Sequence, residues 1–427
     1  MRLQNILTGA IALAFVSAAQ ADVTVEITGA TAFRAAALDT IKAQYVASGQ
    51  PFKFAYDTTG AFNGSNRSVW IGTFPGVSGT TTIRTSFNGS VEGIRALVTT
   101  DSDPVYIDPS VLNSVTAVVG GNNGGNGLNG QAGPNAAAQS EIAFSDCAIT
   151  ATPFASLPIL PADAACGVVV FTMLANESAP ANLTNVTEQQ FRALWTNGFQ
   201  PLSLLTGSSA DTSLVFATGR NDGSGTRTTY LAESGYGVRN TVQQYVVTTS
   251  TASEISEIQR VPAGGGATPS NASTVWGQDV DGNGGYFSGS VLRTEMAKTT
   301  PNVTVRDADG SVLDTIPLTL VTWLTVTDAV NARANGAKIL GYNGVTLESL
   351  KTANVIDATD RAKVTTGQYA AWSFQQLYRR STVTSGDALA VYNALRNNIG
   401  ANILNAGIPL NEMTVGRVGG DGGIIAP

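Results

Sequence analysis

Histidine is absent from all 427 residues. Without an imidazole there can be no Ser-His-Asp triad, no Cys-His pair and no His-ligated zinc. Charge is sparse: 13% of residues are charged, the net charge is −7 and the pI is near 4.8. With no basic stripe to neutralise phosphodiesters, nucleic acid and anionic membrane surfaces are excluded as partners. One small anion held by local dipoles is not. Beyond the first residues no long apolar run occurs; residues 166–174 and 316–324 are too short and too interrupted to span a bilayer.

The first 21 residues read as a secretory signal, with Arg2 as the positive start, an apolar stretch over 6–18 and Ala19-Gln20-Ala21 as the cleavage site. The mature chain should begin near Asp22, in the periplasm or secreted. No cysteine follows the apolar stretch, so no lipid anchor is expected. The two cysteines of the chain, Cys147 and Cys166, are close in sequence on an exported protein, which predicts a disulfide stapling the Pro-rich segment 153–161.

With 43% apolar residues the chain can bury sizeable cores, and about 400 residues exceed what one core serves, so two lobes are expected. Strand-like runs over 23–27, 142–144, 168–173, 213–217 and 319–324 alternate with helical patterns over 32–47, 92–98, 187–196 and 226–234, the sign of α/β layers. The Gly/Asn-rich stretch 120–134 and the Gly/Pro/Ser-rich stretch 262–273 read as loops.

The sharpest local feature is Gly219-Arg220-Asn221-Asp222-Gly223-Ser224-Gly225-Thr226-Arg227, between a strand and a helix. Glycines let a ligand approach the backbone, and free N–H groups at a helix start point at an anion. Ser224 and Thr226 add hydroxyls; Arg220 adds a planar fork able to bind two oxygens. The plainer reading is a turn in which Ser224 or Thr226 caps the helix. Three more segments share this grammar: Gly29-Ala30-Thr31-Ala32-Phe33, Asn88-Gly89-Ser90-Val91-Glu92-Gly93 and Ile142-Ala143-Phe144-Ser145-Asp146.

Together these four segments resemble, in order and in much of their spacing, the periplasmic phosphate-binding proteins of phosphate ABC transporters, of the type II periplasmic binding protein fold. Weaker likeness continues through Asn182-Leu183-Thr184, Gly341-Tyr342-Asn343-Gly344 and the segment 367–372. The resemblance implies a two-lobed α/β protein with a hinge and an interlobe ligand cleft, residues 22–165 and 329–427 forming one lobe and 166–328 the other. It implies an anion held by Thr31, the Ala32 backbone, Ser90, Asp146, Arg220, Ser224, Gly225 and Thr226. The expected ligand is phosphate, because Asp146 can accept a hydrogen bond only from an oxyanion that keeps a proton. The expected partner is the membrane part of an ABC transporter; no catalytic residue, metal or cofactor is expected. Ala32 intrudes between Thr31 and Phe33, and Glu92 stands where the family prefers a small residue. Two alternatives are a secreted phosphatase-like enzyme on the same anion site and an extracellular structural or adhesive protein that keeps the fold.

Asp279-Val280-Asp281-Gly282-Asn283-Gly284 starts like a calcium loop, but the twelfth position is Ser290 rather than Glu. Asp307 to Gly310 reads as a hairpin turn. The tryptophans at 195, 276, 323 and 372 read as packing residues.

Overall fold

The computed structural model describes residues 22–100, 103–115, 127–162, 164–261, 274–275, 284–403 and 407–427. The expected signal segment, residues 120–126 and 262–273 of the two loops, Trp276 and the calcium-like run 279–283 lie outside them.

Apolar alternation builds the first strand, β1 (Val23–Gly29), where Val25 and Ile27 are fully buried on one face while Glu26 and Thr28 are buried on the other. A strand buried on both faces suits the middle of a sheet. It pairs in parallel with β4 (Thr81–Ser86) and β5 (Ile142–Ser145), and antiparallel strands β3 (Arg67–Gly72) and β2 (Phe52–Tyr56) extend that edge. Helix α1 (Arg34–Ala47) lays Ala37, Leu38, Ile41 and Tyr45 against this part of the sheet.

The sheet continues without a break through a long strand, β6 (Ala165–Ala175), and the strand beside it, β11 (Trp372–Arg380). The path runs β7 (Phe199–Pro201), β8 (Leu214–Ala217), β9 (Leu318–Thr325), β6, β11, β5, β1, β4, β3, β2, with β10 (Lys338–Tyr342) also on β6. One half of β6 pairs with β11, the other with β9 and β10. β11 likewise starts with Trp372 in one core and reaches Leu377 in another.

Two large apolar clusters flank these crossing strands. The smaller gathers β1 to β5, α1 and α7 (Gly386–Asn398) around Trp70 and Tyr45. The larger gathers β6 to β10, helices α3 (Glu188–Asn197), α4 (Gly225–Glu233), α5 (Gly289–Met296) and α6 (Val326–Arg333), and a four-stranded sheet over residues 245–316. Trp195, Trp323 and Trp372 are fully buried in it, packing residues as their sequence context suggests. Residues 329–372, expected with the first lobe, bury Ala329, Leu340, Leu350 and Tyr369 in this larger cluster. The hairpin expected at Asp307 to Gly310 joins Val303–Arg306 to Val312–Ile316, and Gly310 takes the left-handed φ of +85° that closes it.

The expected disulfide is not formed: Cys147 and Cys166 are free thiols. Cys147 follows β5 and Cys166 lies on β6, while β11 runs between and pairs with both strands. Two strand spacings, roughly 9–10 Å, exceed the reach of a disulfide. The Cys147 thiol instead sits by the Ser145 hydroxyl, and Cys166 donates to the Gln375 carbonyl oxygen at 3.4 Å.

A short hairpin, Gly416–Val418 with Ile424–Ala426, closes the described fold. Arg417 stacks over Trp372, 4.5 Å from its ring, and ion-pairs with Glu233 of α4 at 2.7 Å. Asp421 accepts from the Ala148 backbone N–H at 2.6 Å. The hairpin thus touches α4 on one side and the turn after β5 on the other.

Candidate functional site

Three chain reversals meet where the two cores face each other. After β1, the Ala30 N–H donates to the Phe144 carbonyl at 2.8 Å, and Gly29 lies so close to β5 that a Cβ would overlap its backbone. After β4, α2 (Ser90–Val98) begins behind Gly89, whose φ of +132° and contact with the Gly223 carbonyl require glycine. After β8, residues 219–224 turn into α4. Asn221 N–H and Tyr286 N–H bind the Tyr286 and Gly219 carbonyls at 3.1 and 3.0 Å, fixing the loop to residues 285–286. The Arg220 carbonyl accepts from Gln244 and Arg227 at 3.1 and 3.2 Å.

On the tight side of this meeting lies Asp146. Its carboxylate accepts from the Ser90 hydroxyl on one oxygen and from the Thr226 hydroxyl, at 3.0 Å, on the other. The Asp146 N–H returns a bond to Ser90 Oγ at 3.0 Å. Gly225 packs directly above, and a Cβ there would overlap both Asp146 Oδ1 and Ser90 Oγ. Ser90 and Thr226 come from the N-termini of α2, which packs in a small cluster with Ala143 and Tyr378, and α4, which packs in the larger core, and the Val91 N–H donates across to the Gly223 carbonyl at 3.1 Å. Ser90, Asp146, Arg220, Ser224 and Thr226 are each at most 2% exposed. Burial pushes the Asp146 carboxyl above its ordinary value, while the Ser90 and Thr226 hydroxyls and the Arg220 charge pull it back.

Arg220 turns its fork toward the backbone of the neighbouring segment, donating from Nε to the Tyr286 carbonyl at 2.9 Å and from Nη2 to the Phe287 carbonyl at 2.8 Å. Burial lowers its pKa, and the carboxylates of Asp146 and Asp328 raise it. A guanidinium keeps its charge under such conditions. Ser224 follows the plainer reading: it caps α4, its Oγ accepting from the Arg227 N–H at 3.3 Å. Ser90 and Thr226 do not cap their helices; their hydroxyls go to Asp146.

Thr31 and Ala32 stand apart from this cluster. The helix they precede starts at Arg34 with Phe33 as N-cap, so Thr31 is not at its first turn. Both line the open side, a cavity of about 530 Å³ shared with Arg34 and Ala35 of α1, Asn63, Ser290 and Arg293 of α5, and Asp328 of α6. Glu92 is held by Arg95 at 2.5 Å, and its Cγ packs beside Gly223.

Sequence reasoning missed the residues that hold Asp146 from behind. Its carbonyl accepts from Thr229 at 3.0 Å and from Ser373, and Gln375 donates to the Ser145 carbonyl at 3.0 Å. Ser373 and Gln375 sit two apart on β11, on one face; two small or amide side chains at that spacing between Trp372, Phe374 and Leu377 were the available signal. Among the described residues no group of three or more His, Cys, Asp or Glu is placed to hold a metal ion, and no helix is long and apolar enough to cross a membrane.

No family model matches the chain, and no curated protein does. Its path is similar to that of several solved structures. One, from Clostridium perfringens with phosphate bound, has 12% identity and a TM-score of 0.42 over 90% of this chain and 99% of the other. An ABC-type phosphate transport receptor from Vibrio cholerae has 12% identity and a TM-score of 0.40 over 89% and 96%. A phosphate-binding protein from Stenotrophomonas maltophilia has 10% and 0.35 over 93% and 86%.

Proposed function

We propose that this chain is an exported solute-binding protein that holds a tetrahedral oxyanion, phosphate, between two lobes and performs no covalent chemistry on it. The observation that carries this reading is the convergence of two helix N-termini, from separate apolar clusters, on one buried carboxylate with a buried arginine nearby. Helix starts supply N–H donors and positive field for the anion. Arg220 supplies a full charge. Asp146 supplies an acceptor that only a protonated oxyanion can satisfy, since an ionised carboxylate donates nothing.

The first lobe comprises residues 22–165 and the return from about 375 to 403, the second 166–372 with residues 408–425 packed on it; core membership supports moving the return crossing later than residue 328. β6 and β11, adjacent and each entering both clusters, form the hinge. The lobes part to admit the anion and close on it, and an ABC transporter's membrane subunits recognise the closed form. The lack of histidine favours binding over turnover.

Calorimetric titration of stripped protein against phosphate, sulfate, molybdate and a set of sugars tests this. Phosphate should bind and sulfate should not. A sugar binding while phosphate does not would overturn the reading.

A further inference from the structure

The cavity beside Thr31 lies apart from the packed Asp146 cluster, and neither Ser90, Asp146, Gly225 nor Thr226 lines it. At about 530 Å³ it falls in the range, roughly 300–1,000 Å³, of sites for small organic molecules. Its walls come from both sides of the cleft: Thr31, Arg34 and Asn63 from one, Ser290, Arg293 and Asp328 from the other. No apolar side chain larger than alanine lines it, so neither an aromatic ring nor an aliphatic chain finds a matching surface there. Three helix starts reach the same space. Arg34 opens α1, Ser290 lies in the first turn of α5, and Thr327 and Asp328 lie in the first turn of α6. First-turn N–H groups have no partner inside their own helix, and the field there favours negative charge.

The charged groups on the wall are two guanidinium groups, Arg34 and Arg293, and one carboxylate, Asp328, which Arg293 engages at 3.0 Å. Arg34 bonds Asn66 through Nη1, yet among the described residues its Nε is buried with no partner. A buried N–H left unpaired costs free energy that an incoming acceptor would relieve. We infer that this cavity is a second ligand site, separate from the Asp146 cluster, and that it takes a small sugar acid, one carboxylate on a chain or ring of hydroxyl groups. The occupant carries a single negative charge because two guanidinium groups against one carboxylate leave one positive charge to neutralise. Its carboxylate lies between Arg34 and Arg293, where planar forks match a planar acid. Its hydroxyl groups meet the threonine, serine and asparagine side chains of the wall. Asp328 accepts from a hydroxyl and repels a second acid group, which disfavours diacids.

The experiment is calorimetric titration of stripped wild-type protein with gluconate, glucuronate, acetate and glucose, and separately with orthophosphate. Gluconate or glucuronate should bind about tenfold or more tighter than both acetate and glucose. That preference should fall about fivefold or more in Arg34→Gln and in Arg293→Ala, with thermal melts confirming that each variant is folded. Should neither variant fold, the wild-type ratios decide. Sugar acids binding no tighter than acetate or glucose, or a preference untouched in folded variants, overturns this inference and leaves the phosphate reading standing. Orthophosphate displacing the bound acid also overturns it, since the two would then share one site. Sugar acid binding without any orthophosphate binding supports the cavity site and overturns the phosphate reading. No binding of any compound overturns both.

Discussion

The two sides of the cleft are built on opposite rules. Around Asp146 the Ser90, Thr226 and Thr229 hydroxyls each meet an acceptor on that residue, and Gly89 and Gly225 bring backbone into contact where no side chain fits. Around Arg34 a cavity remains, and a buried guanidinium N–H lacks a partner among the described residues. Close packing with matched polar groups gives a fixed geometry, whereas room with unmatched charge gives capacity for something brought from outside.

The most severe way to break this contrast is to fill the tight side. Gly225→Val places a side chain on Asp146 and Ser90, and overpacking at a buried contact of this kind costs about 3 kcal/mol or more. Its chemical denaturation midpoint should drop and phosphate binding should vanish; a variant that binds normally would show that α4 and Asp146 are not in register during binding. Next in size, Arg220→Ala removes the charge nearest Asp146 and should weaken phosphate binding about 30-fold or more, roughly 2–4 kcal/mol, by titration. An unchanged dissociation constant in the folded variant would restrict Arg220 to anchoring residues 286–287.

Asp146→Asn is a subtler probe, because an amide can donate where the carboxylate cannot. The preference for phosphate over sulfate should shrink by about tenfold, or 1.4 kcal/mol. A ratio that does not move assigns Asp146 to holding the Ser90 and Thr226 hydroxyls alone. The smallest effect lies on the outer wall, where burial pushes the Asp421 carboxyl up to about 6 from an ordinary 3.8. Between those values the folded protein keeps a proton that the unfolded chain has lost, so this group's contribution to stability falls as pH rises from about 4 to 6. Asp421→Asn cannot ionise. Its Tm relative to wild type should therefore rise by about 2 °C between pH 4.5 and 7.5.

How much of this was legible in the sequence depends on how far apart the partners lie. The strand runs at 142–144, 168–173 and 319–324 and the helical runs at 92–98 and 226–234 reappear with their ends shifted by a residue or a few, because each carries its own apolar period. The Ser90, Asp146 and Thr226 cluster was legible because each residue sits in a short polar reversal after a strand, marked by glycine at Ser90 and Thr226 and by Ser145-Asp146 itself in the third. The Arg34 cavity was not, since it joins the starts of α1, α5 and α6, and nothing local marks Arg34, Arg293 or Asp328 as neighbours. The disulfide failed for the same reason: short separation suggested contact, but β11, whose Gln375 is 230 residues from the Ser145 it bonds, enters between. Core membership of residues 329–372 was likewise invisible, because α6 and β10 carry the same apolar pattern whichever core receives them.

The hairpin over residues 416–426 bears on the energetics of opening. Through Arg417 it grips α4, and through Asp421 it grips the turn beside Asp146, so on the proposed clamp it spans the two surfaces that would separate. A tether across a moving joint adds its own stiffness to that of β6 and β11. Ligand affinity then includes the work of stretching or releasing it, and a chain lacking the hairpin would sample the parted arrangement more often, binding faster and letting go sooner.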